Sequence, residues 1–301
     1  MSFLDKNKQL VGDNSTALQA GGNLTLIFGD SKDAINDLVA RTLESQMPSL
    51  REEAKKEVDI IASTFGAQII NRLAQEAESV VIEKLKSPDI QYQINQSVIQ
   101  VARKGIGIKS ASLRELIAKK ILTSDEEEDL LIDHAFEIIP RLTTDSIKLL
   151  SVIYYLRYWT PKKVFITGAT TAQQDYSYAG YTQKVTYSTV SPFYYDIQGE
   201  ESYLLKLVGS LDSLKPVNTY LLDINGCTIQ MASYNIKYTE LFNKFNPSMP
   251  VDNETIHIHY STLFSIMQKF GINDFDVLGH TILSPLGETI AKTYLDSIRQ
   301  A

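Results

Sequence analysis

Two histidines, His257 and His259, are the side chains whose type and spacing come closest to a metal site. Alternate residues of a β-strand point to the same side, so on a strand these two imidazoles could bind one metal ion. A metal site needs at least a third protein ligand, and neither the nearby acids nor the two remaining histidines give a recognised spacing. We therefore predict no bound metal. The alternative is a partly exposed strand whose other residues, Ile256, Ile258 and Tyr260, face the core.

The single cysteine, Cys227, is the candidate thiol nucleophile. A reactive thiol needs a neighbouring base or cation that lowers its pKa, and the local sequence Asn225-Gly226-Cys227 supplies neither. We interpret Cys227 as a small buried residue. One cysteine also cannot form an internal disulfide, so the sequence does not require an oxidising compartment.

Two further motifs resemble ligand sites only superficially. The segment Gly105-Ile-Gly-Ile-Lys-Ser110 approximates a phosphate-binding loop, but an isoleucine separates its second glycine from its lysine, and it follows a predicted helix instead of a strand. Gly105 is better explained as a helix terminator. The acidic run Asp125-Glu-Glu-Glu-Asp129 follows Ser124, and Ser124 with Glu127 has the pattern of a capping box. We assign neither motif a ligand.

The sequence contains no motif that pairs a nucleophile with a base, and no two carboxylates stand out as a general acid and base. It therefore favours a protein that is not an enzyme, with no catalytic residues and no cofactor.

The tyrosine-rich tract from Val164 to Ser202 has the most unusual surface chemistry of the chain. Of the 16 tyrosines, all but Tyr92 lie from Tyr154 onward. Aromatic side chains stack on bases, and they also dominate protein interfaces. The tract has one cation, Lys184, among several acids, so nucleic acid is disfavoured because its phosphates would not be neutralised. We expect these tyrosines to cover the helical core or to contact a partner protein.

The elements that would position these residues begin with a predicted β-hairpin at residues 15–28. Its turn, Ala20-Gly-Gly-Asn23, supplies the positive φ angles of a tight turn, and apolar residues alternate along the second strand. A two-stranded hairpin is marginal in water and must be covered. We predict that other copies of the chain cover it, so that the protein self-associates through the apolar side chains of the hairpin, Leu18, Leu24, Leu26 and Phe28. The alternative is that the hairpin folds back onto its own chain.

A helical pattern runs from Ser31 to about residue 160. Ser31 is a candidate cap for the first helix, whose apolar residues share one face: Ile35, Leu38, Val39 and Leu43. A capping box at Ser49 starts the longest predicted helix, which meets no strong breaker before Ser87-Pro88, a span of about 35 residues. One apolar stripe repeats along it about every 3.7 residues and a second lies beside the first, so it should pack against more than one neighbour. Further helices are predicted at about 89–104, 112–122, 124–139 and 143–160.

The composition changes after Trp159-Thr-Pro161, which we take as a domain boundary. The predicted parts are an N-terminal β-hairpin segment at 1–30, a helical domain at 31–160 and a Tyr-rich α+β C-terminal domain at 161–301. The predicted fold class is mainly α with minor β. In the C-terminal domain we predict hairpins in the tyrosine-rich tract and helices at about 200–214, 217–224, 261–270 and after Ser284-Pro285.

The 301-residue chain has a formal net charge of −7 that is spread along both halves, so neither half is a polyanion-binding surface by charge. Its first residues lack the pattern of a signal peptide, and its apolar runs are far shorter than the roughly 20 residues that cross a bilayer. We predict a soluble, cytoplasmic protein without a membrane span.

Three features resemble a family of uncharacterised bacterial proteins that have an N-terminal Gly-Gly-Asn β-hairpin followed by long helices. They are the start Phe3-Leu-Asp-Lys6, the hairpin at residues 12–25 with Gly12-Asp-Asn-Ser-Thr16 and Gln19-Ala-Gly-Gly-Asn-Leu-Thr25, and, near the end, Leu283-Ser-Pro-Leu-Gly-Glu-Thr-Ile-Ala291. Similar hairpins begin multidomain bacterial proteins, some of them linked to phage defence. The resemblance implies a bacterial source and an antiviral setting, and it supplies no catalytic residues.

The leading hypothesis is a non-enzymatic, self-associating scaffold or sensor protein in bacterial phage defence. We expect a homo-oligomer, with a second protein contacting the tyrosine-rich tract. One alternative is an enzyme whose site is assembled from scattered residues. Another is a winged-helix-like DNA-binding regulator, suggested by the helix, short strand and final helix of residues 261–300. The few basic residues of that region weaken the DNA-binding alternative.

Overall fold

The structure is a computed structural model, and it describes residues 28–46, 52–76, 78–158, 171–178, 181–188, 197–230, 237–240, 252–279 and 281–299. Within these residues the fold is mainly α with minor β, as predicted. The predicted hairpin at 15–28 lies outside them except for Phe28, and so do Leu18, Leu24 and Leu26. Among the described helices, none combines the length and the apolar character that crossing a membrane requires.

The chain divides into two compact units, residues 1–144 with 299–301 and residues 145–298. The predicted boundary at residue 30 falls within the helix that begins at Phe28, and the one at residue 160 lies outside the described residues. The three-part division stays a prediction.

The first unit is helical in its described residues. Helix α2 packs against α1, α4 and α5, as its wide apolar sector predicted, and α4 also packs against α1 and α5. The core contains fully buried side chains from three of these helices, including Phe65, Ile69, Ile94, Val98 and Leu116. The helices are α1 (Phe28–Gln46), α2 (Glu52–Leu73), α3 (Glu78–Leu85), α4 (Pro88–Lys104), α5 (Ile108–Leu122) and α6 (Glu126–Ile138), and a 3-10 turn (Ile139–Arg141) follows.

Helix α1 begins earlier than predicted. Its first residue is Phe28, so Phe28 is helical and is not the last residue of a strand, and Ser31 lies inside the helix instead of capping it. Acidic Asp30 and Asp33 fall near the start of α1, where the positive end of the helix dipole favours carboxylates. The predicted inward face of α1 is confirmed, because its four apolar residues are all buried: Ile35, Leu38, Val39 and Leu43.

The predicted uninterrupted helix up to Ser87-Pro88 is wrong, because α2 ends at Leu73 and α3 begins at Glu78. The sequence between them has no glycine or proline, so tertiary contacts must impose the break. Arg72, in the last turn of α2, binds Glu115 on α5, and Val81 on α3 is buried. The second predicted apolar stripe of α2 is partly exposed as a result, with Ile60 67% exposed.

Helix α4 ends at Gly105 as predicted. The backbone of Gly105 has φ +85°, and its N–H donates to the carbonyl of Val101 at 2.8 Å. The glycine-rich segment that follows connects two helices, and Lys109 within it donates to the carbonyl of Pro140 at 3.0 Å. This lysine therefore holds the end of α6 in the first unit.

The predicted capping box at Ser124 is displaced by one residue. Asp125 caps α6, and its Oδ1 accepts a hydrogen bond from the backbone N–H of Glu128 at 2.8 Å. A carboxylate at this position bonds to a free N–H and also interacts favourably with the helix dipole, which a serine hydroxyl does not. Thr123 Oγ1 adds a bond to the carboxylate of Glu128 at 2.6 Å.

The second unit contains longer helices, short helices and two strand pairs among its described residues. Of the four predicted inward residues of helix α13, Ile290, Tyr294 and Leu295 are buried and Ile298 is partly exposed. The hydroxyl of Tyr294 donates to the carbonyl of Leu207 on α8 at 2.8 Å. Ser151 on α7 donates to the carbonyl of Ala291 at 3.4 Å. The helices are α7 (Thr144–Tyr158), α8 (Ile197–Val208), α9 (Thr219–Ile224), α10 (Ile256–His259), α11 (Ser261–Lys269), α12 (Phe275–Gly279) and α13 (Pro285–Arg299), with a 3-10 turn at Leu211–Ser213.

Both strand pairs are antiparallel. Strand β1 (Thr171–Tyr178) pairs with β2 (Tyr181–Ser188), with Thr171 opposite Ser188 and Tyr178 opposite Tyr181. This pair falls in the tyrosine-rich tract, where hairpins were predicted, while a partner at the tract stays a prediction. Strand β3 (Thr228–Gln230) pairs with β4 (Thr281–Leu283), with Ile229 opposite Ile282.

Candidate functional site

The histidine pair lies on a one-turn helix, α10, so the predicted strand is wrong. Residues of a helix are about 100° apart, so side chains two positions apart diverge by about 200°. His257 and His259 therefore point in different directions and do not share a face. Ile256 and Tyr260 are buried as expected, whereas Ile258 is 64% exposed because the helical period replaces alternation.

A hydrogen-bonded turn before α10 explains why this segment is helical. The carboxylate of Asp252 accepts hydrogen bonds from the backbone N–H groups of Glu254 at 3.0 Å and Thr255 at 2.8 Å. The hydrogen bonds from Thr255 also hold the pKa of Asp252 below its ordinary value. The signal was present in the sequence, because an Asp followed three residues later by Thr is typical of a turn that starts a helix.

Cys227 lies in the turn between α9 and β3 and is fully buried, as the sequence predicted. Burial raises the pKa of its thiol to about 12. The thiolate is the reactive form of cysteine, so this side chain is chemically quiet near neutral pH.

The backbone around Cys227 is the docking point for the last helix. Ser284 donates its backbone N–H to the carbonyl of Cys227 at 3.0 Å, and its hydroxyl accepts from the N–H of Gly287 at 3.0 Å. A Cβ on Gly287 would come within 1.9 Å of the Cys227 carbonyl oxygen, so a side chain at this position would displace α13. The Ser-Pro-Leu-Gly part of the family-like motif is therefore explained by the packing of α13 against this turn.

A buried lysine joins three aspartates in the first unit. Lys120 on α5 is 1% exposed, and its Nζ lies 2.8 Å from Asp89 on α4, 2.9 Å from Asp129 and 2.7 Å from Asp133, both on α6. Burial lowers the pKa of Lys120, but hydrogen bonds to Asp133, Asp89 and Asp129 outweigh that effect and raise the pKa above its ordinary value. The oxygens of the three carboxylates lie within 4.8 Å of one another, as they would around a metal ion, and the ammonium is the cation that they surround.

A second charged cluster surrounds Glu115, which is 1% exposed on α5. Arg72 Nε lies 2.7 Å from one of its oxygens and Arg114 Nη2 lies 2.8 Å from the other. Burial lowers the pKa of Arg72, and hydrogen bonds to Glu76 and Glu115 raise it by more. The cluster holds the end of α2 against α5, so like the Lys120 cluster it stabilises the fold.

Neither cluster was predicted from the sequence. The acidic run was assigned only to the start of a helix, yet Asp129, at its end, also binds Lys120. The available signal was the spacing of Asp129 and Asp133, which places two carboxylates one turn apart on α6.

The second unit has a buried lysine of its own, Lys148 on α7. Burial lowers its pKa, and the charge of Asp145, 3.9 Å away, acts in the opposite direction. The ion pair lies within the first turn of α7, and we assign it no chemical role.

The candidate functional site is an apolar surface on the second unit. Three side chains of α9 are exposed to solvent, Tyr220 by 71%, Leu221 by 48% and Ile224 by 78%, and Ile229 on the adjoining strand β3 is 46% exposed. We call these four residues the α9–β3 surface. The sequence predicted a helix at 217–224 but gave no signal that its apolar residues face solvent.

The α9–β3 surface has a rigid support. The backbone N–H of Cys227 donates to the carbonyl of Leu222 at 2.9 Å, and the side chain of Asn225 donates to the carbonyl of Leu221 at 2.6 Å. The hydroxyl of Thr228 on β3 donates to the carboxylate of Asp223 on α9. These bonds fix β3 to α9.

Strands β3 and β4 bear on the DNA-binding alternative. They pair with each other, but residues 231–280 separate them in the chain, so this pair is not the hairpin that forms the wing of a winged helix. The DNA-binding alternative stays a prediction.

A protein-family model matches residues 29–245, which is more than half of the chain. The chain belongs to that family, whose description reads only “:-like” and names no activity, ligand or partner. The matched range contains the Lys120 and Glu115 clusters and the α9–β3 surface, and it ends before α13. No curated protein and no solved structure matches the chain significantly.

Proposed function

We propose that this chain is a non-enzymatic, self-associating scaffold or sensor protein. The observation that carries the proposal is the α9–β3 surface. Single exposed apolar residues are common on proteins, but several adjoining ones mark a contact surface. Here four large apolar side chains on α9 and the adjoining strand β3 are exposed to water, while Leu222 on the same short helix is fully buried.

The buried charged clusters support a scaffold role. Lys120 links α5 to α4 and α6, and Glu115 links α5 to α2. Ion pairs that bridge several helices hold those helices in a fixed arrangement. A rigid body of this kind suits a protein that presents contact surfaces to other copies.

The N-terminal sequence supplies a second argument. Leu24 and Leu26 lie on either side of Thr25 after a Gly-Gly-Asn turn, and a hairpin of this size cannot bury its apolar face alone. We propose that this segment also contacts other copies. We propose the cytoplasm as the location, because the first residues lack the pattern of a signal peptide and a single cysteine requires no oxidising compartment. Bacterial phage defence is the setting that we propose from the sequence resemblance.

The test is the mass of the full chain in solution, measured by light scattering and sedimentation velocity over about a hundredfold range of concentration. We expect a mass that rises with concentration above the 33.8 kDa of one chain. A chain that stays at 33.8 kDa throughout would refute self-association.

Paired variants test the role of the N-terminal segment. Leu24→Asp with Leu26→Asp places charges on the predicted apolar face and should reduce association. Thr25→Asp adds a charge on the opposite face of the same predicted strand and should leave association unchanged. Equal effects of the two changes would contradict the predicted hairpin face.

A further inference from the structure

We infer that a basic corner of the first unit binds the surface of a membrane that contains anionic phospholipids. The name basic corner stands for Arg103, Lys104, Ile106, Lys109 and Arg141, which lie around the connection from α4 to α5. The inference goes beyond the proposed self-association and does not depend on it, because none of these residues belongs to the α9–β3 surface or to the N-terminal segment.

Three elements bring the four cations of the basic corner together. Arg103 and Lys104 lie in the last turn of α4, and Lys109 lies in the first turn of α5, which starts after a connection of three residues. The Nζ of Lys109 donates to the carbonyl of Pro140 at 3.0 Å, so the 3-10 turn that contains Arg141 lies beside the start of α5. Burial lowers the pKa of Lys109, and the charge of Lys104 lowers it further, as expected for adjoining like charges.

The positive charges of the basic corner are not cancelled by neighbouring acids. Arg103, Lys104 and Arg141 are exposed, and none of them forms an ion pair with a carboxylate of the described residues. This includes Glu137, which lies one turn before Arg141 on α6. Lys109 is bonded to a neutral carbonyl, which leaves its charge in place. Like charges that adjoin one another raise the local positive potential, so the corner favours an anionic partner.

Helix α5 separates the basic corner from the acidic end of the first unit. The corner surrounds the start of α5, whereas the acidic run Asp125-Glu-Glu-Glu-Asp129 follows its end. Helix α5 has 15 residues, so at about 1.5 Å per residue its ends are about 20 Å apart. Exposed charges are screened over about 8 Å at physiological ionic strength. The formal net charge of −7 therefore does not prevent the corner from approaching an anionic surface.

An exposed isoleucine among the cations favours a lipid surface as the partner. Ile106 lies in the connection between the helices and is 45% exposed, and a Cβ on the neighbouring Gly107 would meet nothing within 4 Å. At the surface of a bilayer, cations bind the headgroups while an apolar side chain reaches the boundary of the acyl chains. A nucleic acid would also meet the cations, but its bases stack on aromatic side chains and not on an isoleucine.

The test measures binding of the full-length protein to vesicles by sedimentation. The wild type should bind vesicles of equimolar phosphatidylglycerol and phosphatidylcholine, it should not bind vesicles of phosphatidylcholine alone, and added salt should weaken the binding. Arg103→Gln with Lys104→Gln should weaken it about 25-fold, because each cation near an anionic membrane strengthens binding about fivefold. Ile106→Ser should weaken it about threefold, since part of an isoleucine side chain is then no longer buried in the lipid.

A matched control removes the same charge from another exposed place. Lys55 and Lys56 are adjacent exposed lysines on α2, close in sequence to the acids Glu52, Glu53 and Glu57. Lys55→Gln with Lys56→Gln should bind the anionic vesicles as the wild type does. Unchanged circular dichroism spectra and melting temperatures show that all variants are folded.

The outcomes decide between a membrane surface, a nucleic acid and no specific site. Wild-type binding to both kinds of vesicle or to neither would overturn the inference, and so would equal losses in the control and in Arg103→Gln with Lys104→Gln. If Ile106→Ser leaves vesicle binding unchanged, and a short duplex DNA binds the wild type but not Arg103→Gln with Lys104→Gln, the corner is a nucleic-acid surface instead. Losses in both corner variants with a normal control are the supporting result, and none of these outcomes bears on self-association.

Discussion

Replacing Lys120 by methionine tests whether its ammonium holds three helices of the first unit together. Methionine fills much of the same volume, so the main change is the loss of the cation. The carboxylates of Asp89, Asp129 and Asp133 would then lie within 4.8 Å of one another with no positive charge between them. We expect Lys120→Met to lower the free energy of unfolding.

The magnitude follows from the separation and the exposure of these carboxylates. Two like charges 4.8 Å apart repel by about 3.5 kcal/mol at an effective dielectric constant of about 20, and by about 0.9 kcal/mol in bulk water. The three aspartate side chains are 53%, 39% and 34% exposed, so the repulsion lies between these limits. The carboxylates can also move apart in the variant. We therefore expect Lys120→Met to lower the free energy of unfolding by about 2–4 kcal/mol.

Urea unfolding followed by circular dichroism measures this loss at neutral pH. Lys56→Met, which removes an equivalent charge from an exposed position on α2, is the control and should change stability by less than about 0.5 kcal/mol. Added salt should narrow the difference between Lys120→Met and the wild type, because salt screens the exposed carboxylates. If Lys120→Met is as stable as Lys56→Met, the ammonium does not hold these helices together and the reasoning is refuted.

Two other predictions concern the second unit. Gly287→Ala should lower the free energy of unfolding by about 2 kcal/mol, because the added Cβ would lie 1.9 Å from the carbonyl oxygen of Cys227. Gly107→Ala in the first unit is the control and should be nearly neutral, because there is open space around Gly107. Thermal unfolding of the two variants measures the difference. Burial raises the pKa of Tyr260 to about 12, so the folded state retains the phenolic proton more tightly than the unfolded chain, which loses it near pH 10. The protonated Tyr260 therefore contributes about 2 kcal/mol to the free energy of unfolding. This stabilisation is fully present below about pH 10 and is lost as the pH rises towards 12. Stability measured from pH 9 upward should therefore fall less steeply in Tyr260→Phe than in the wild type, and Tyr92→Phe, at an exposed position, should follow the wild type.

Apolar periodicity predicted most of the helices, because a helix that packs on one side leaves a 3.6-residue pattern in the sequence. The inward face of α1 and three of the four predicted inward residues of α13 were identified this way and are buried, while Ile298 is partly exposed. Local signals also placed the end of α4 at Gly105. These features depend on residues that are close in sequence, which is why one sequence was sufficient.

The features that the sequence did not predict depend on distant partners. Lys120 is surrounded by carboxylates from two other helices, and no short motif joins Asp89 to Asp133. The break after Leu73 has no breaker residue, since its cause includes the contact of Arg72 with Glu115. The α9–β3 surface is of the same kind, because an apolar residue shows its exposure only once its neighbours are placed.

Two separate contact surfaces on one chain would determine the size of the assembly. A chain with one two-fold interface stops at a dimer, because pairing uses its only surface. A chain that pairs through its N-terminal segment with one copy and through the α9–β3 surface with another links to two neighbours, and the assembly continues unless the rotations close it. The wild type should therefore exceed the dimer, while Ile224→Asp alone, or Leu24→Asp with Leu26→Asp, should stop at the dimer. All three changes together should give a monomer of 33.8 kDa, and a wild type that never exceeds the dimer would show that only one of the two surfaces pairs.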